Sequence, residues 1–353
     1  MPRRATDGAS LEPLLTLAIP FCKEAQRQCP RTGPGRKPLY EDWQIAILIF
    51  CGVLKKKKSM TAQFNFIVQN QAMFLKHLKL DRLPAHGTFC DRYKRVWPLV
   101  QIAIQLQGRA AIKEHVIDAR DVAVDKSLMT ARGPQWNSKD RKRNVVPKGL
   151  RGVDRQADWG YSEYHDWVYG YSYEIAVTAT KGSIVFPLLA SLDTASANEH
   201  KTSPSKLRCL PRSTRHALLD RGYDSNDAAD AFELDARERP NGRRFVCPTA
   251  RDFVSAIPER GRRERQRQRR IKRHAFVKSR AGQTLYHRRG KTIEPFNGIF
   301  KDTFELSDHV WHRGLDNNRT QVLCAVFCYQ LLIRHHWKNG GRDAQIRYLM
   351  DGL

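Results

Sequence analysis

Hydrophobic and polar positions change their period near residue 117. Upstream, the apolar run "WQIAILIFCGVL" (43–54) predicts a buried helix, fed by the loop "GPGRKPLYEDW" (33–43). "LKKKK" (54–58) closes it with charges that suit the negative end of a helix. "MTAQFNFIVQNQAMFLKHL" (60–78) reads as one amphipathic helix. In "LPAHGTFCDRYKRVW" (83–97) a Pro and Gly turn precedes a basic helix, with Thr88 as N-cap and Asp91 at the third position. Helix, turn and basic helix fit a helix-turn-helix that offers Arg92, Lys94 and Arg95 to DNA. They fit equally a plain helical bundle with a solvated basic face.

Downstream the pattern is that of strands. "DVAVDKSL" (121–128) alternates and is expected to stop at Asp125, and "YSYEIAVTATKGSIVFPLLASL" (171–192) reads as a hairpin hinged at Lys181 and Gly182. A short helix "NEHKTSPSKLRCL" follows, then the buried strand "HALLD", a helix over 224–237 capped by Asp224, and the strand "RRFVCP". Three antiparallel strands followed by two helix–strand units predict a ribonuclease-H-like α/β layer, a mixed sheet flanked by helices. "NNRTQVLCAVFCYQLLIRHHW" (317–337) is expected to pack behind that sheet. The expected organisation is a helical DNA-binding region over 1–115, a catalytic domain over 116–340 with basic loops at 138–155 and 250–290, and a tail over 341–353.

Charge narrows the partner. Sixty-two Lys and Arg against 36 Asp and Glu give a formal net charge of +26, which predicts a polyanion, and nucleic acid in particular. The longest apolar run, 12 residues, is well short of the roughly 20 that span a bilayer. The opening "MPRRATDGAS" lacks a secretory pattern, so the expected location is the cytoplasm, at the nucleoid. The eight cysteines are scattered, and Cys324 and Cys328 stand one helical turn apart without a second pair. Reduced core thiols are the reading, with a zinc site as the alternative.

The acids carry the candidate chemistry. In "HALLDRGYDS" (216–225) Asp220 ends a short strand, Gly222 permits a tight turn, and Asp125 has a similar strand-end setting. Two neighbouring carboxylates repel each other. Mg²⁺ or Mn²⁺ relieves that repulsion, and two such ions ~3.5–4 Å apart clamp the attacking and leaving oxygens of a phosphodiester. "KTIEPFNGIFKDTF" (291–304) supplies a third acid, Glu294, in the first turn of a helix where Pro295 is tolerated. Phe296, Ile299 and Phe300 would form its buried stripe, with Lys301 on the face of Glu294. Singly, each acid also reads as a turn residue or a partner of the helix dipole. Their order does more, with 94 residues between the two aspartates and 73 between Asp220 and Glu294.

Other stretches suit DNA. "ERGRRERQRQRRIKR" (259–273) holds nine basic residues in 15 and "SKDRKRNVVPKGLRGVDR" (138–155) seven in 18. Both are expected on connections that contact phosphates, or else are solvated charge runs. Trp159 and Trp167 in "WGYSEYHDWVYGYSY" (159–173) are candidates for stacking on an unpaired base, the alternative being that they cover a sheet face. His165 and His200 are candidate proton-transfer groups or structural histidines.

"VAVDKS", "WGYSEYHDWVYGYSYEIAV", "SLDTASANEH", "LLDRGYDS" and "YHRRGKTIEPFNGIFK" together resemble the DDE transposases of bacterial insertion sequences, in the branch with a Tyr, Arg, Glu, Lys signature. The likeness covers roughly residues 30–335. It implies a ribonuclease-H-like fold and a metal-binding triad of Asp125, Asp220 and Glu294. It also implies phosphate contacts by Tyr286, Arg289 and Lys301, and a homodimer acting on the element's terminal inverted repeats and on target DNA. Four residues separate Arg289 from Glu294 where the family has three, so Lys291 is an alternative for the signature Arg. Two other functions stay open: a nuclease or resolvase that cuts without joining, and a transposase derivative that only binds DNA.

Overall fold

The computed structural model describes residues 11–29, 38–163, 166–249 and 261–351. Among the described residues six helices come first: α1 (Leu11–Gln28), α2 (Asp42–Leu54), α3 (Met60–Gln69), α4 (Gln71–Leu78), α5 (His86–Tyr93) and α6 (Trp97–Lys113). α2 is buried along nearly its whole length, as its continuous apolar run requires. Part of the loop expected before it, 33–37, lies outside the described residues.

Three local expectations for this region change. The stretch 60–78 is two helices, because the Asn70 side chain donates to the Phe66 carbonyl (2.8 Å) and competes with the backbone ladder. Thr88 lies inside α5, which starts at His86 with Ala85 as N-cap. Arg92 points inward, pairing with Asp42 and donating to the Tyr40 carbonyl (3.2 Å), so it ties α5 to α2 and is not offered to DNA. Lys94 and Arg95 remain exposed.

The sheet contains β1 (Asp121–Thr130), β2 (Asp158–Ser162), β3 (Asp166–Thr178), β4 (Pro187–Thr194), β5 (His216–Leu218) and β6 (Arg244–Val246). β2 and β4 lie end to end along one edge of β3, and β1, β5 and β6 follow on the other side. β1, β3 and β4 are antiparallel, while β5 and β6 run parallel to β1. This curled mixed sheet with helices against it is the ribonuclease-H-like fold.

β1 does not stop at Asp125. Its second half, Lys126 to Thr130, keeps pairing because β3 begins at Asp166 and offers Gly170 to Glu174 as partners. Gly170 is required there, since a Cβ would lie 2.0 Å from the Met129 carbonyl oxygen. β2, read from the sequence only as aromatic cover, is a paired edge strand.

The remaining helices are α7 (Ser138–Lys142), α8 (Glu199–Arg208), α9 (Asn226–Glu233), α10 (Gly261–Lys278), α11 (Arg280–Thr303), α12 (Leu315–Lys338) and α13 (Ile346–Asp351), with a 3₁₀ turn at Arg221–Tyr223. Ser225, not Asp224, caps α9 by accepting from the Ala228 amide (3.3 Å). The basic stretch expected as a loop over 250–290 contains α10 and the start of α11, while 250–260 lie outside the described residues. α11 starts 14 residues before Glu294, so Glu294 and Pro295 are in its interior rather than its first turn. Pro295 disfavours the helix by about 3 kcal/mol and Gly290 and Gly298 by about 1 kcal/mol each. Burial of Ile293, Phe296 and Phe300 against the sheet and α12 offsets this, with Ile293 taking the place expected for Ile299.

α12 joins the two parts of the chain. Phe327 meets Phe50 of α2 edge-on at 5.8 Å, and Gln330 donates to the carbonyls of Ile104 on α6 (2.9 Å) and Pro187 on β4 (2.8 Å). Cys324 and Cys328 are buried on this helix, where burial pushes both thiols well up. Phe327→Ala is expected to cost about 3–5 kcal/mol. Because α2, α6 and β4 share this helix, urea should unfold helices and sheet in one transition, displaced to lower urea. Two separate transitions by circular dichroism and tryptophan fluorescence would contradict the shared core. Among the described residues no helix is long and apolar enough to cross a membrane.

Candidate active site

The register of the parallel pair brings the two aspartates together. Asp121 stands opposite His216 and Ala123 opposite Leu218, so two residues further on Asp125 is level with Asp220. Asp125 is held inside β1. Asp220 leaves β5 into the 3₁₀ turn, where its Oδ1 accepts from the Gly222 amide at 2.9 Å. Gly222 does not adopt the left-handed backbone expected of a tight turn. It is needed for space, since a Cβ would come within 3.1 Å of that same Oδ1.

α11 lies across β1 and supplies the partners of the acids. Arg289 Nη2 donates to Asp125 Oδ1 at 2.6 Å and lies 3.5 Å from Asp220 Oδ2. Asn297, two turns along, donates to Asp125 Oδ2 (2.9 Å) and accepts from the Tyr173 hydroxyl (2.5 Å). Both oxygens of Asp125 are therefore taken by the chain itself. Burial pushes the Asp125 carboxyl up to about 6, with Arg289 opposing and the charge of Asp220 adding to the rise. Burial also raises Asp220, against the same arginine. Burial opposes the charge on Arg289, yet the two carboxylates more than offset it, so the guanidinium sits above its ordinary value.

The other signature residues are distributed unevenly. Glu294 is exposed and makes no hydrogen bond or ion pair among the described residues. It is therefore not gathered with the two aspartates. Lys291 is also exposed, whereas Tyr286 is half-buried beside the pair, its hydroxyl raised by burial and lowered in part by Arg289. Lys301 donates to the Leu128 carbonyl (2.9 Å), and burial lowers its pKa against the pull of Asp125.

Two residues near the acids escaped the sequence reading. Asn297 stands three positions after Glu294 as a polar break in an apolar stripe, which was its one local signal. Glu199 opens α8, pairs with Lys126 (3.0 Å) and helps raise Asp220. Its neighbour His200 is exposed, and His165 lies outside the described residues.

Much of the basic and aromatic surface has structural work. On α10, Arg269 pairs with Asp230 (2.8 Å), Arg270 with Asp224, Arg273 with Glu233 (3.3 Å) and Arg267 with Glu264 (3.0 Å). Arg269, Arg270 and Arg273 thus bind the acidic helix α9 and its approach, while the Arg267 pair lies within α10, and the stretch expected as a loop is a helix docked on α9. Trp159 is half-buried and donates to the Trp136 carbonyl (2.8 Å), so it covers the sheet edge. Trp167 is 66% exposed and lies 5.5 Å from the 57%-exposed Tyr161 across the β2–β3 pair.

Asp125 and Asp220 have the donor chemistry of an oxygen-seeking dication. As arranged, however, the acids do not fit one. The guanidinium lies between the two carboxylates and Glu294 is turned outward. Among the described residues no group of three His, Cys, Asp or Glu side chains stands close enough to hold a metal.

The sheet is ribonuclease-H-like and brings the two aspartates level at the ends of adjacent parallel strand pairings. A family model for the transposase DDE domain matches residues 117–331, more than half of the chain, and the chain belongs to that family. Members typically use divalent metal ions and act on DNA. No curated protein and no solved structure matches the chain.

Proposed function

We propose that this protein is the transposase of an insertion sequence, binding the element's terminal inverted repeats and catalysing strand cleavage and strand transfer. The observation that carries the reading is the pair Asp125 and Asp220, level with each other on adjacent strands within the matched domain. Water attacks a phosphodiester at the element's end, breaking its P–O bond and leaving a 3′-hydroxyl. That hydroxyl then attacks a target phosphodiester, forming one P–O bond and breaking another. Asp125, Asp220 and Glu294 are the proposed catalytic acids, Mg²⁺ or Mn²⁺ the proposed cofactor as two ions, and Tyr286, Arg289 and Lys301 the proposed phosphate contacts. A homodimer working on DNA in the cytoplasm completes the reading, of which the formal charge of +26 supports the DNA partner.

The test is a cleavage and joining assay on labelled terminal DNA with Mg²⁺ or Mn²⁺, and with Ca²⁺ as a binding-only control. Cleavage followed by joining is expected. Cleavage without joining would favour the nuclease reading, and binding alone would favour a DNA-binding derivative.

Two further outcomes concern contacts away from the acids. On α10, Arg263, Arg265 and Lys272 are exposed and have no partner among the described residues. Replacing all three by Gln should flatten the slope of log affinity against log salt by about 2–3 units, at about 0.9 per phosphate contact, and leave cleavage at saturating DNA intact. An unchanged slope would remove α10 from the DNA surface. Trp167 is the proposed stacking residue. Trp167→Ala should leave thermal stability unchanged and cost about 1–3 kcal/mol of base stacking, read as lost quenching of 2-aminopurine at the element's end. Unaltered quenching would return Trp167 to an edge residue without a DNA role.

A further inference from the structure

The acid pair already has a cation of the chain itself between its carboxylates. Arg289 spans Asp125 (2.6 Å) and Asp220 (3.5 Å), Asn297 holds the second oxygen of Asp125 (2.9 Å), and the Gly222 amide holds one oxygen of Asp220 (2.9 Å). A dication entering between the carboxylates meets a fixed positive charge and finds both Asp125 oxygens and Asp220 Oδ1 already hydrogen-bonded. The closed arrangement is incomplete in one respect. Arg289 Nε is buried without a hydrogen-bond partner, so part of the guanidinium fork is unsatisfied while it faces the acids. A phosphate oxygen is the ligand that such a fork takes best, through two parallel N–H···O bonds.

The helix that carries Arg289 can give way at that place. Gly290, Pro295 and Gly298 surround Glu294, and Pro295 leaves the Lys291 carbonyl without its usual amide partner. Arg289 and Glu294 are thus on one poorly supported stretch of α11, the first turned in toward the acids and the second turned out.

Resting on the reading of Asp125 and Asp220 as the metal-binding pair, we propose that Arg289 is an internal counter-ion that keeps the pair closed to metal until a DNA phosphate draws its guanidinium away. Metal and DNA then bind with positive coupling, and by linkage each raises the affinity of the other by the same factor. In the absence of DNA the protein stays poorly loaded with metal, which keeps it from cutting without its substrate.

Mn²⁺ binding to the full-length protein, followed by the electron paramagnetic resonance signal of free Mn²⁺, tests this with and without a short duplex, corrected for the duplex alone. For the wild type, the duplex should tighten Mn²⁺ binding about tenfold or more. Arg289→Gln should bind Mn²⁺ about tenfold more tightly than wild type without DNA, and the duplex should change that by less than about threefold. Arg289→Lys, which keeps the charge but loses the fork, should fall between them. Asp125→Asn should abolish the binding in every case.

Equal affinities of wild type and Arg289→Gln, with Asp125→Asn still abolishing binding, would overturn the counter-ion while leaving the acid pair in place. Binding unaffected by Asp125→Asn would instead overturn the acid-pair reading itself. Should Arg289→Gln fail to fold, wild-type Mn²⁺ affinity that is the same with and without duplex overturns the proposal on its own.

Discussion

Asp125→Asn, Asp220→Asn and Glu294→Gln are each expected to lower strand cleavage and strand joining together by about a thousandfold or more, equivalent to about 4 kcal/mol of transition-state stabilisation. DNA affinity should stay within a few-fold of wild type, because the basic surface is untouched and one acid facing phosphate is gone. The first replacement should not unfold the protein. Asn keeps the shape of Asp125 and can still accept from Arg289, and it removes a carboxylate whose ionisation is opposed by burial, which pushes its pKa up to about 6. Glu294→Gln is the most discriminating of the three. Glu294 is exposed and has no partner among the described residues, so its replacement should leave the melting temperature unchanged. A loss of activity there would report chemistry and nothing structural. Single-turnover cleavage and joining, with affinity measured by gel shift and stability by thermal melting, check all three. Normal joining by any one variant removes that residue from the site.

Lys301→Ala is expected to slow single-turnover cleavage by about ten- to a hundredfold at saturating DNA, while changing the salt slope of binding by no more than about one unit. Lys301 is held by the Leu128 carbonyl (2.9 Å), on the same helix as Arg289 and Asn297, with Asp125 close enough to favour its charge. One ammonium so placed contributes a single phosphate contact to binding but a fixed positive charge where negative charge develops. The α10 arginine and lysine replacements should show the reverse, a flatter salt slope with normal chemistry. A Lys301 variant that cuts at the wild-type rate at saturating DNA would place this lysine in the fold alone.

The acids were legible in the sequence because each sits in a local pattern: Asp125 in the alternation of β1 and Asp220 at the end of a short apolar run. The antiparallel set β1, β3 and β4 followed from the same kind of pattern while β2 did not, and the apolar stripe of α11 followed from helical spacing. Element limits followed less well, because partners elsewhere set them. β1 continues past Asp125 since β3 is long enough to pair with it. α11 extends back to Arg280 since a serine cap and a buried stripe outweigh an interior proline.

What the chain alone determined is thus the inventory: the candidate acids, the basic composition and those helices and strands whose patterns rest on interactions within a few residues. Only the tertiary structure decided how the charges are used. Asp125 and Arg289 are 164 residues apart, Asp230 and Arg269 are 39 apart, and Asp42 and Arg92 are 50 apart. No periodicity relates such positions, because an ion pair needs only that the folded backbone bring two side chains within a few ångströms. The structure therefore uses Arg269, Arg270 and Arg273 of the arginine run as the clamp of α10 on α9, and turned Arg92 into a strut. It made Arg289 the cation between the aspartates, while Glu294, five residues along the same helix, faces outward because successive helical positions point in different directions.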